Sequence, residues 1–251
     1  AHRSSGCRSG CHQGLRVNPN NESPRSNPRG FCRYLYFLQG CDIIKKQKNG
    51  GNKMNIVNPK EAMMQSLHDA CNFNLYRKTL ELTKNIATDV EFQKNFTNYY
   101  RVRRDADWLH KFYSFFEENK NNKTITFEEI LRYLSNIEHN VKQTTKNPTG
   151  KAKTVEASFA SKMLATINPS HPIWDSQVLH YLNIEVDGAL CHEDKIEECI
   201  KVYQKIERDI ATFIASVDGL QCIELFDKVF PSCKNFSDYK KIDFFLWNLG
   251  K

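Results

Sequence analysis

Apolar residues recur at helical spacing along most of the chain. Residues 61–86, 88–99 and 106–119 each place apolar side chains three and four positions apart. The last of these segments carries the apolar residues Trp108, Leu109, Phe112, Phe115 and Phe116. Because positions three and four apart share one helix face, this spacing predicts amphipathic helices. After Pro59 there are no alternating runs of β-branched residues of the kind that mark strands, so the pattern predicts an all-α fold.

Capping residues and further apolar spacing predict the rest of the helices. Thr126 and Glu129 form a capping box before an apolar run, and the helix that they open is predicted to end near Glu138. The remaining predicted helices span residues 154–167, 176–182, 193–215, 217–229 and 237–248. No internal repeat, heptad pattern or low-complexity tract interrupts them. Residues 54–251 are therefore predicted to form one compact multi-helix domain.

Residues 1–53 differ in character from the rest of the chain. They are rich in Ser, Gly, Asn, Pro and Arg, and they lack sustained periodicity outside the short run "RYLYFL". The segment ends in "NGGNKM", and a GGAGG-type codon run for Gly50-Gly51 would resemble a bacterial ribosome-binding site just before Met54. We hypothesise that Met54 is the native start and that residues 1–53 are upstream or vector sequence. The alternative is a basic, disordered arm that contacts nucleic acid.

The distribution of charge changes what the net charge implies. The chain has a formal charge of +7, which by itself suggests a nucleic-acid partner. Residues 1–53 hold ten basic and two acidic residues, whereas residues 54–251 hold 26 basic and 27 acidic residues. The predicted domain is thus nearly neutral. Its strongest local basic cluster is a predicted loop between Glu138 and Glu156, which carries Lys142, Lys146, Lys151 and Lys153.

Several classes of function lack support in the sequence. No window of eighteen uncharged apolar residues is present, so no membrane association is expected. The predicted domain has five irregularly spaced cysteines, an odd number that indicates reduced thiols and a cytoplasmic protein. Cys191, His192 and Cys199 lack the spacing of a zinc site, and the motifs of nucleotide, dinucleotide, metalloprotease and α/β-hydrolase sites do not occur. We therefore expect no metal and no cofactor.

Asp175 is the only acidic residue between Ser158 and Leu182, and it follows "PIW" at the predicted start of a helix. An aspartate there can act as an N-cap. Its wider setting is a loop with Gly and Lys, an Ala- and Ser-rich helix, an Asn-Pro turn, and then the aspartate before the next helix. Residues 140–184 in this order resemble the helix-hairpin-helix DNA glycosylase superfamily, with "PTGKAKTVEASFASKML" as the hairpin and Asp175 as the aspartate.

The resemblance implies an enzyme that hydrolyses the bond between a damaged or modified base and its sugar. Asp175 would be the catalytic carboxylate, acting on double-stranded DNA whose target base is flipped out. The hairpin residues Lys146, Gly150, Lys151 and Lys153 would bind backbone phosphates. The base-pocket candidates are Trp174, Trp108 and Tyr99. The resemblance further implies a cytoplasmic monomer that serves DNA repair or defence against phage with modified DNA.

The chain departs from the family pattern at two functional positions. Pro148-Thr149-Gly150 replaces the usual Leu-x-Gly-x-Gly hairpin, and the position of the Schiff-base lysine of bifunctional members falls at residues 156–158, Glu-Ala-Ser. Lys153 and Lys162 flank that position out of register, so the expected activity is monofunctional and leaves an abasic site. No four-cysteine iron–sulfur loop is reproduced. His171 and His180 flank Asp175, and two interpretations are open: either could assist proton transfer, or they are a turn histidine and a helix-surface histidine.

A second hypothesis assigns no catalysis to the chain. Here the predicted domain is a helical nucleic-acid- or protein-binding module, in which Asp175 only caps a helix and the lysines belong to a solvated loop. The segment "YYRVRRDADW" would suit such a nucleic-acid-facing edge. The identity of the base, under the first hypothesis, does not follow from the sequence.

Overall fold

The computed structural model describes residues 73–81 and 85–250. All of them lie in one compact unit, Asp42–Lys251. The helices in chain order are α1 Phe73–Leu80, α2 Val90–Tyr100, α3 Ala106–Asn119, α4 Phe127–Ser135, α5 Ala157–Ile167, α6 Ser176–Tyr181, α7 His192–Ile214, α8 Val217–Val229 and α9 Asp238–Leu249. A 3-10 turn spans Pro231–Cys233, and strands β1 Glu138–Asn140 and β2 Lys151–Lys153 form the one sheet of the described residues. The predicted all-α fold is confirmed.

The predicted helix over residues 61–86 differs from what is observed. Its first part, like every prediction for residues 1–53 and for the start at Met54, lies outside the described residues. The described part is α1, which ends at Leu80, and residues 86–88 form a turn. The chain then enters α2 through Asp89, whose side chain accepts a hydrogen bond from the backbone N–H of Phe92. This polar cap starts the helix that was predicted over residues 88–99, two residues later than predicted.

The capping box at α4 is confirmed, but the helix is shorter than predicted. The Thr126 side chain accepts from the Glu129 backbone N–H, and the Glu129 carboxylate accepts from the Thr126 backbone N–H. The helix ends at Ser135 instead of near Glu138 because Glu138 starts β1. This strand pairs antiparallel with β2, with Glu138 opposite Lys153 and Asn140 opposite Lys151. The predicted lysine-bearing loop is therefore largely a β-hairpin.

Helix α5 forms the centre of the described domain. Every residue of this helix except Ser158 is buried. A helix that is apolar on all sides must be enclosed by other elements, and α5 packs on α4 and α1. On another side, Phe159 packs edge-to-face on Trp108 of α3, with ring centroids 4.7 Å apart. The residue that follows this enclosed helix in the chain, Asn168, begins the turn that leads to α6.

Helix α9 packs closely against the start of α6. A Cβ atom on Gly250, just after α9, would lie 2.0 Å from the backbone oxygen of Gln177 in α6. Such a contact is shorter than any that real side chains make, so only glycine permits this approach. The approach places one face of α9 beside the first turn of α6. None of the helices in residues 73–81 and 85–250 is both long and apolar enough to cross a bilayer.

We predict that Gly250→Ala destabilises the protein by about 1–3 kcal/mol, because the new methyl group collides with backbone at Gln177. Gly188→Ala is the control, since a Cβ at Gly188 meets nothing within 4 Å. That change should stay within about 0.5 kcal/mol of the parent. Urea denaturation of both variants measures the difference. Equal stabilities would contradict the close packing of α9 on α6.

Candidate active site

Asp175 is the N-cap of α6, as the sequence predicted. Its backbone is extended, and its Oδ1 accepts a hydrogen bond of 3.0 Å from the backbone N–H of Gln177. The preceding residue is fixed from the central helix, because the Trp174 backbone N–H donates to Ser161 Oγ at 2.8 Å. The carboxylate is therefore held in place by α6 on one side and by α5 on the other.

The second carboxylate oxygen faces a buried ammonium group. Asp175 Oδ2 lies 4.0 Å from Lys162 Nζ, and the same nitrogen donates a hydrogen bond of 3.2 Å to the backbone oxygen of Tyr100. Lys162 is only 8% exposed. Burial lowers the pKa of Lys162 below its usual value, and the negative charge of Asp175 opposes that shift. One carboxylate thus caps a helix and pairs with a buried cation.

A cavity of about 480 Å³ opens in front of this pair. Asp175 and Lys162 line it together with aromatic residues from three other parts of the chain. The aromatic lining residues are Phe73, Tyr99, Tyr100, Trp174, Phe244 and Trp247. The Asp175 side chain keeps 24% of its surface exposed, so it is accessible from the cavity. The site combines a held anion, a cation and flat apolar walls, which is the composition typical of a small-molecule or base pocket.

The wall contributed by α9 carries a second ion pair. Lys240 Nζ donates to Asp243 Oδ2 at 2.5 Å, and both residues line the cavity. The ammonium group also lies over two tyrosine rings, 5.1 Å from the centroid of Tyr76 and 5.4 Å from that of Tyr99. Burial raises the pKa of Tyr99 well above its usual value, so its hydroxyl stays protonated and able to donate a hydrogen bond even at alkaline pH.

Of the four residues predicted for catalysis and the base pocket, three line the cavity and one does not. Asp175, Trp174 and Tyr99 all line it. Trp108 is fully buried elsewhere, stacked on Phe112 with ring centroids 5.5 Å apart. Its aromatic ring therefore contributes to the core, and it is not among the residues that line the cavity.

The predicted phosphate-binding residues lie on and beside the hairpin. Lys146, Lys151 and Lys153 are exposed, whereas Gly150 is buried and has a positive φ of 64°. The expectation that this loop runs straight into a helix differs from the structure, because β2 and residues 154–156 separate Gly150 from α5. The positive charges of the hairpin are therefore lysine side chains on a strand and a turn. Contrary to what the resemblance implied, they do not adjoin the free backbone N–H groups of a helix N-terminus.

A short segment connects this hairpin to the mouth of the cavity. The backbone N–H of Asn140 in β1 donates to Asp105 Oδ2 at 2.8 Å. Asp105 is the N-cap of α3, and residues 101–105 lead from it back to Arg101, which lines the cavity. Arg101 and Arg103 are exposed. The hairpin and the segment that carries these arginines are therefore linked by a hydrogen bond between Asn140 and Asp105.

Glu156 and the two histidines that flank Asp175 lie outside the cavity lining. His171 Nδ1 lies 2.8 Å from a carboxylate oxygen of Glu207, and His180 is exposed on α6; neither is among the lining residues of the cavity. The Glu156 carboxylate accepts from Arg104 Nε at 3.0 Å and is 4% exposed. Glu156, the first of the three residues at the predicted position of a Schiff-base lysine, is thus a paired structural carboxylate.

The sequence-based prediction missed three charged residues of the cavity: Lys162, Lys240 and Asp243. Lys162 carried a signal, since it is the one charged residue in the otherwise uncharged stretch of residues 157–167. A buried lysine requires a partner, and Asp175 is the only acidic residue between Ser158 and Leu182. Lys240 and Asp243 carried no comparable signal, because only the tertiary packing of α9 brings them to Asp175.

Within the described part of the chain, no three His, Cys, Asp or Glu side chains are grouped in a way that could hold a metal ion. Cys191, Cys199, Cys222 and Cys233 are free thiols. Comparison with known proteins gives no match, whether with family models, with curated proteins or with solved structures. The interpretation of the site therefore rests on its geometry and on the chemistry of its residues.

Proposed function

We propose that this protein is a DNA glycosylase, which hydrolyses the N-glycosidic bond of a damaged or modified base and leaves an abasic site. The observation that carries the proposal is Asp175 at the mouth of an aromatic-walled cavity, with one oxygen fixed by α6 and the other beside Lys162. The order of elements around this aspartate, which resembles that of helix-hairpin-helix glycosylases, also supports it. Repair of damaged DNA and defence against phage with modified DNA are the two roles proposed for the activity.

The chemistry of base removal requires what this site contains. As the bond between base and sugar breaks, positive charge develops on the deoxyribose, and a fixed anion next to the anomeric carbon stabilises that charge. Asp175 is such an anion, because its cap bond to Gln177 prevents it from turning away. Its free lone pairs can also orient a water molecule toward the anomeric carbon. The departing base would occupy the cavity, against Tyr99, Trp174 and Trp247.

Binding of duplex DNA is proposed to use the hairpin and the segment beside the cavity. Lys151 and Lys153 are exposed, and their ammonium groups donate hydrogen bonds to neutral amide oxygens, at 2.6 Å from Asn140 and 3.3 Å from Asn136. Their charges are therefore not neutralised by those contacts and can attract phosphates. Residues 101–105 run from the cavity residue Arg101 to Asp105, which accepts a hydrogen bond from the hairpin residue Asn140, so we propose that the DNA backbone contacts both Arg101 and the hairpin.

The alternative of a non-catalytic helical binding module remains as a competing proposal. It accounts for the cap bond of Asp175, but not for the two ion pairs within one cavity. Buried ion pairs contribute little net stability, since the desolvation of each charge offsets their attraction. Their concentration around one cavity is more typical of a chemically active site.

We expect Asp175→Asn to abolish base release while the variant still folds and binds DNA, with lower stability because Lys162 loses its anionic neighbour. Asn caps helices about as well as Asp, but it is neutral and cannot stabilise a positive sugar. The loss should be at least about 100-fold in the single-turnover rate, because fixed electrostatic groups of this kind contribute that much to catalysis. Duplexes that each carry one damaged or modified base, treated with alkali after incubation, report the rate.

Asp89→Asn is the matched control for this experiment. Asp89 also caps a helix, with a hydrogen bond of 2.8 Å from Phe92, but it does not line the cavity. Its replacement should leave the rate unchanged. Base release by Asp175→Asn at the parental rate would remove the proposed catalytic role.

Lys162 supports a second candidate activity, in which base removal is followed by strand cleavage. Its amine lies 4.0 Å from Asp175, and its lowered pKa favours the unprotonated, nucleophilic form. Attack of the amine lone pair on the anomeric carbon would break its bond to the base, which leaves with a proton. The sugar ring then opens to an imine. Lys162 therefore lies beside Asp175 in space. In the sequence it does not occupy the position, residues 156–158, at which the family pattern would place a Schiff-base lysine.

We predict for this candidate that borohydride, which reduces an imine to a stable amine, cross-links the protein to a duplex with an abasic site. Lys162→Met should give no cross-link, whereas Lys241→Met should cross-link like the parent. Lys241 is a suitable control because it is similarly buried, at 4% exposed, and lies outside the cavity lining. Base release by the parent without any cross-link would reject the second candidate and leave monofunctional hydrolysis.

We further predict that Lys151→Ala/Lys153→Ala weakens binding to a duplex with a tetrahydrofuran abasic site and lowers its salt dependence. Each lost phosphate contact should reduce the slope of log K against log salt concentration by about 0.9. The control Lys201→Ala/Lys234→Ala removes the same charge from exposed positions on other elements. Fluorescence anisotropy between about 50 and 200 mM salt measures both slopes. Equal slopes for the two double variants would contradict a DNA-binding role of the hairpin.

A further inference from the structure

The Lys240–Asp243 ion pair on α9 is buried at the wall of the cavity. Lys240 is 8% exposed and Asp243 is 7% exposed, so both charges have lost most of their hydration. An ion pair in such a place contributes little or no net stability. The same helix carries a second pair, Lys241 with Asp227 at 2.8 Å, which does not line the cavity. The two pairs have similar chemistry and differ in whether a ligand in the cavity can reach them.

The Lys240 ammonium is fixed by its surroundings, and it in turn fixes Asp243. Two tyrosine faces and the Asp243 carboxylate surround the ammonium group. Burial raises the pKa of Asp243, the Lys240 charge opposes this rise and the nearby Asp175 charge adds to it. The geometry is that of an ion pair, with Lys240 Nζ 2.5 Å from Asp243 Oδ2. Burial lowers the pKa of Lys240, but the Asp243 charge and the neighbouring tyrosines together outweigh burial and raise it above its usual value. Lys240 bonds to Oδ2, and it is the one described residue that donates a hydrogen bond to this side chain. Oδ1 is therefore available to a ligand.

An ionised carboxylate accepts hydrogen bonds and donates none. It therefore favours a base edge with adjacent N–H donors and disfavours an edge that presents a ring-nitrogen lone pair. Among the nucleobases, guanine and its 7- and 8-substituted derivatives carry two adjacent donors, the ring N1–H and the 2-amino group. Adenine and cytosine present a lone pair at the corresponding ring nitrogen. Uracil and hypoxanthine offer a single ring N–H.

The remaining walls fit the same ligand. Trp247 lies on α9, as Asp243 does, and Tyr99 lies beneath Lys240, so aromatic surface flanks the carboxylate within the cavity. Stacking on such surfaces holds any base without distinguishing among bases. Discrimination among bases therefore depends on the Asp243 carboxylate, which would face the hydrogen-bonding edge of the base. A site built around such a group rejects analogues that lack its hydrogen-bond partner far more strongly than an apolar pocket does.

We infer that Asp243, held in place by Lys240, is the specificity-determining residue of the cavity, and that the substrate class is a base with the adjacent N1–H and 2-amino donors of guanine. This inference rests on the proposed function. Asp175 would stabilise positive charge on the sugar, while Asp243 would accept hydrogen bonds from the base. The two carboxylates of the cavity would thus contact different parts of the substrate.

The test compares base release by the full chain from duplexes that each carry one altered base. The probes are 8-oxoguanine, its counterpart without the 2-amino group (8-oxohypoxanthine), 1,N6-ethenoadenine and uracil. We expect 8-oxoguanine to be released at least about 100-fold faster than 8-oxohypoxanthine. Asp243→Asn should reduce that ratio at least tenfold, because Asn replaces one acceptor oxygen with a donor. Asp227→Asn, in the pair outside the cavity, should preserve it.

The outcomes separate this inference from the proposed function. Release of ethenoadenine or uracil as fast as that of 8-oxoguanine would overturn the inference and leave the glycosylase proposal standing. Equal release of the two 8-oxopurines by the parent would do the same, and this comparison needs no variant to fold. A ratio that Asp243→Asn leaves unchanged would also overturn it. Release of none of these bases, by a chain that binds the abasic duplex, would count against both.

Discussion

The Asp175 carboxylate must satisfy two partners at once, a backbone N–H at the start of α6 and the buried ammonium of Lys162. A lysine enclosed in an apolar helix is costly unless an anion lies nearby, and an anion at the end of the α5–α6 turn is costly unless it is hydrogen-bonded. The charge of each group thus offsets part of the other group's desolvation cost. The cavity forms around this pair, and the surrounding elements can be understood as the support that holds it.

That support comes from rigid elements. The central helix α5 carries Lys162 and also binds the backbone of Trp174 through Ser161, which fixes the residue next to Asp175. Helix α9 reaches the same place because Gly250 permits it to touch α6. Sites held by packed helices keep their geometry better than sites on loops. Such preorganisation is what electrostatic stabilisation of a developing positive charge requires.

The sequence predicted the features that depend on local pattern. The capping box at Thr126 and the cap at Asp175 are local features and are confirmed. Helix periodicity predicted the described helices, although α1 and α4 end earlier than predicted. The hairpin was missed because its strands are short, and β2, "KAK", is too brief and too polar to show the apolar alternation of a strand. Trp108 was predicted to line the pocket because it is aromatic. In the structure it packs on Phe112 and Phe159 in the core, and this tertiary packing is not visible in the sequence. Lys240 and Asp243 reach the site through tertiary packing, which spacing along one chain does not encode.

The central claim is that Asp175 stabilises positive charge on a sugar bound beside the cavity. The most direct measurement is the affinity of the full chain for two duplexes, one with a neutral tetrahydrofuran abasic site and one with a cationic pyrrolidine in its place. The account predicts that the parent protein binds the cationic duplex at least about tenfold more tightly, and that Asp175→Asn loses this preference while it still binds the neutral duplex. Equal affinity of the parent for both duplexes would contradict it.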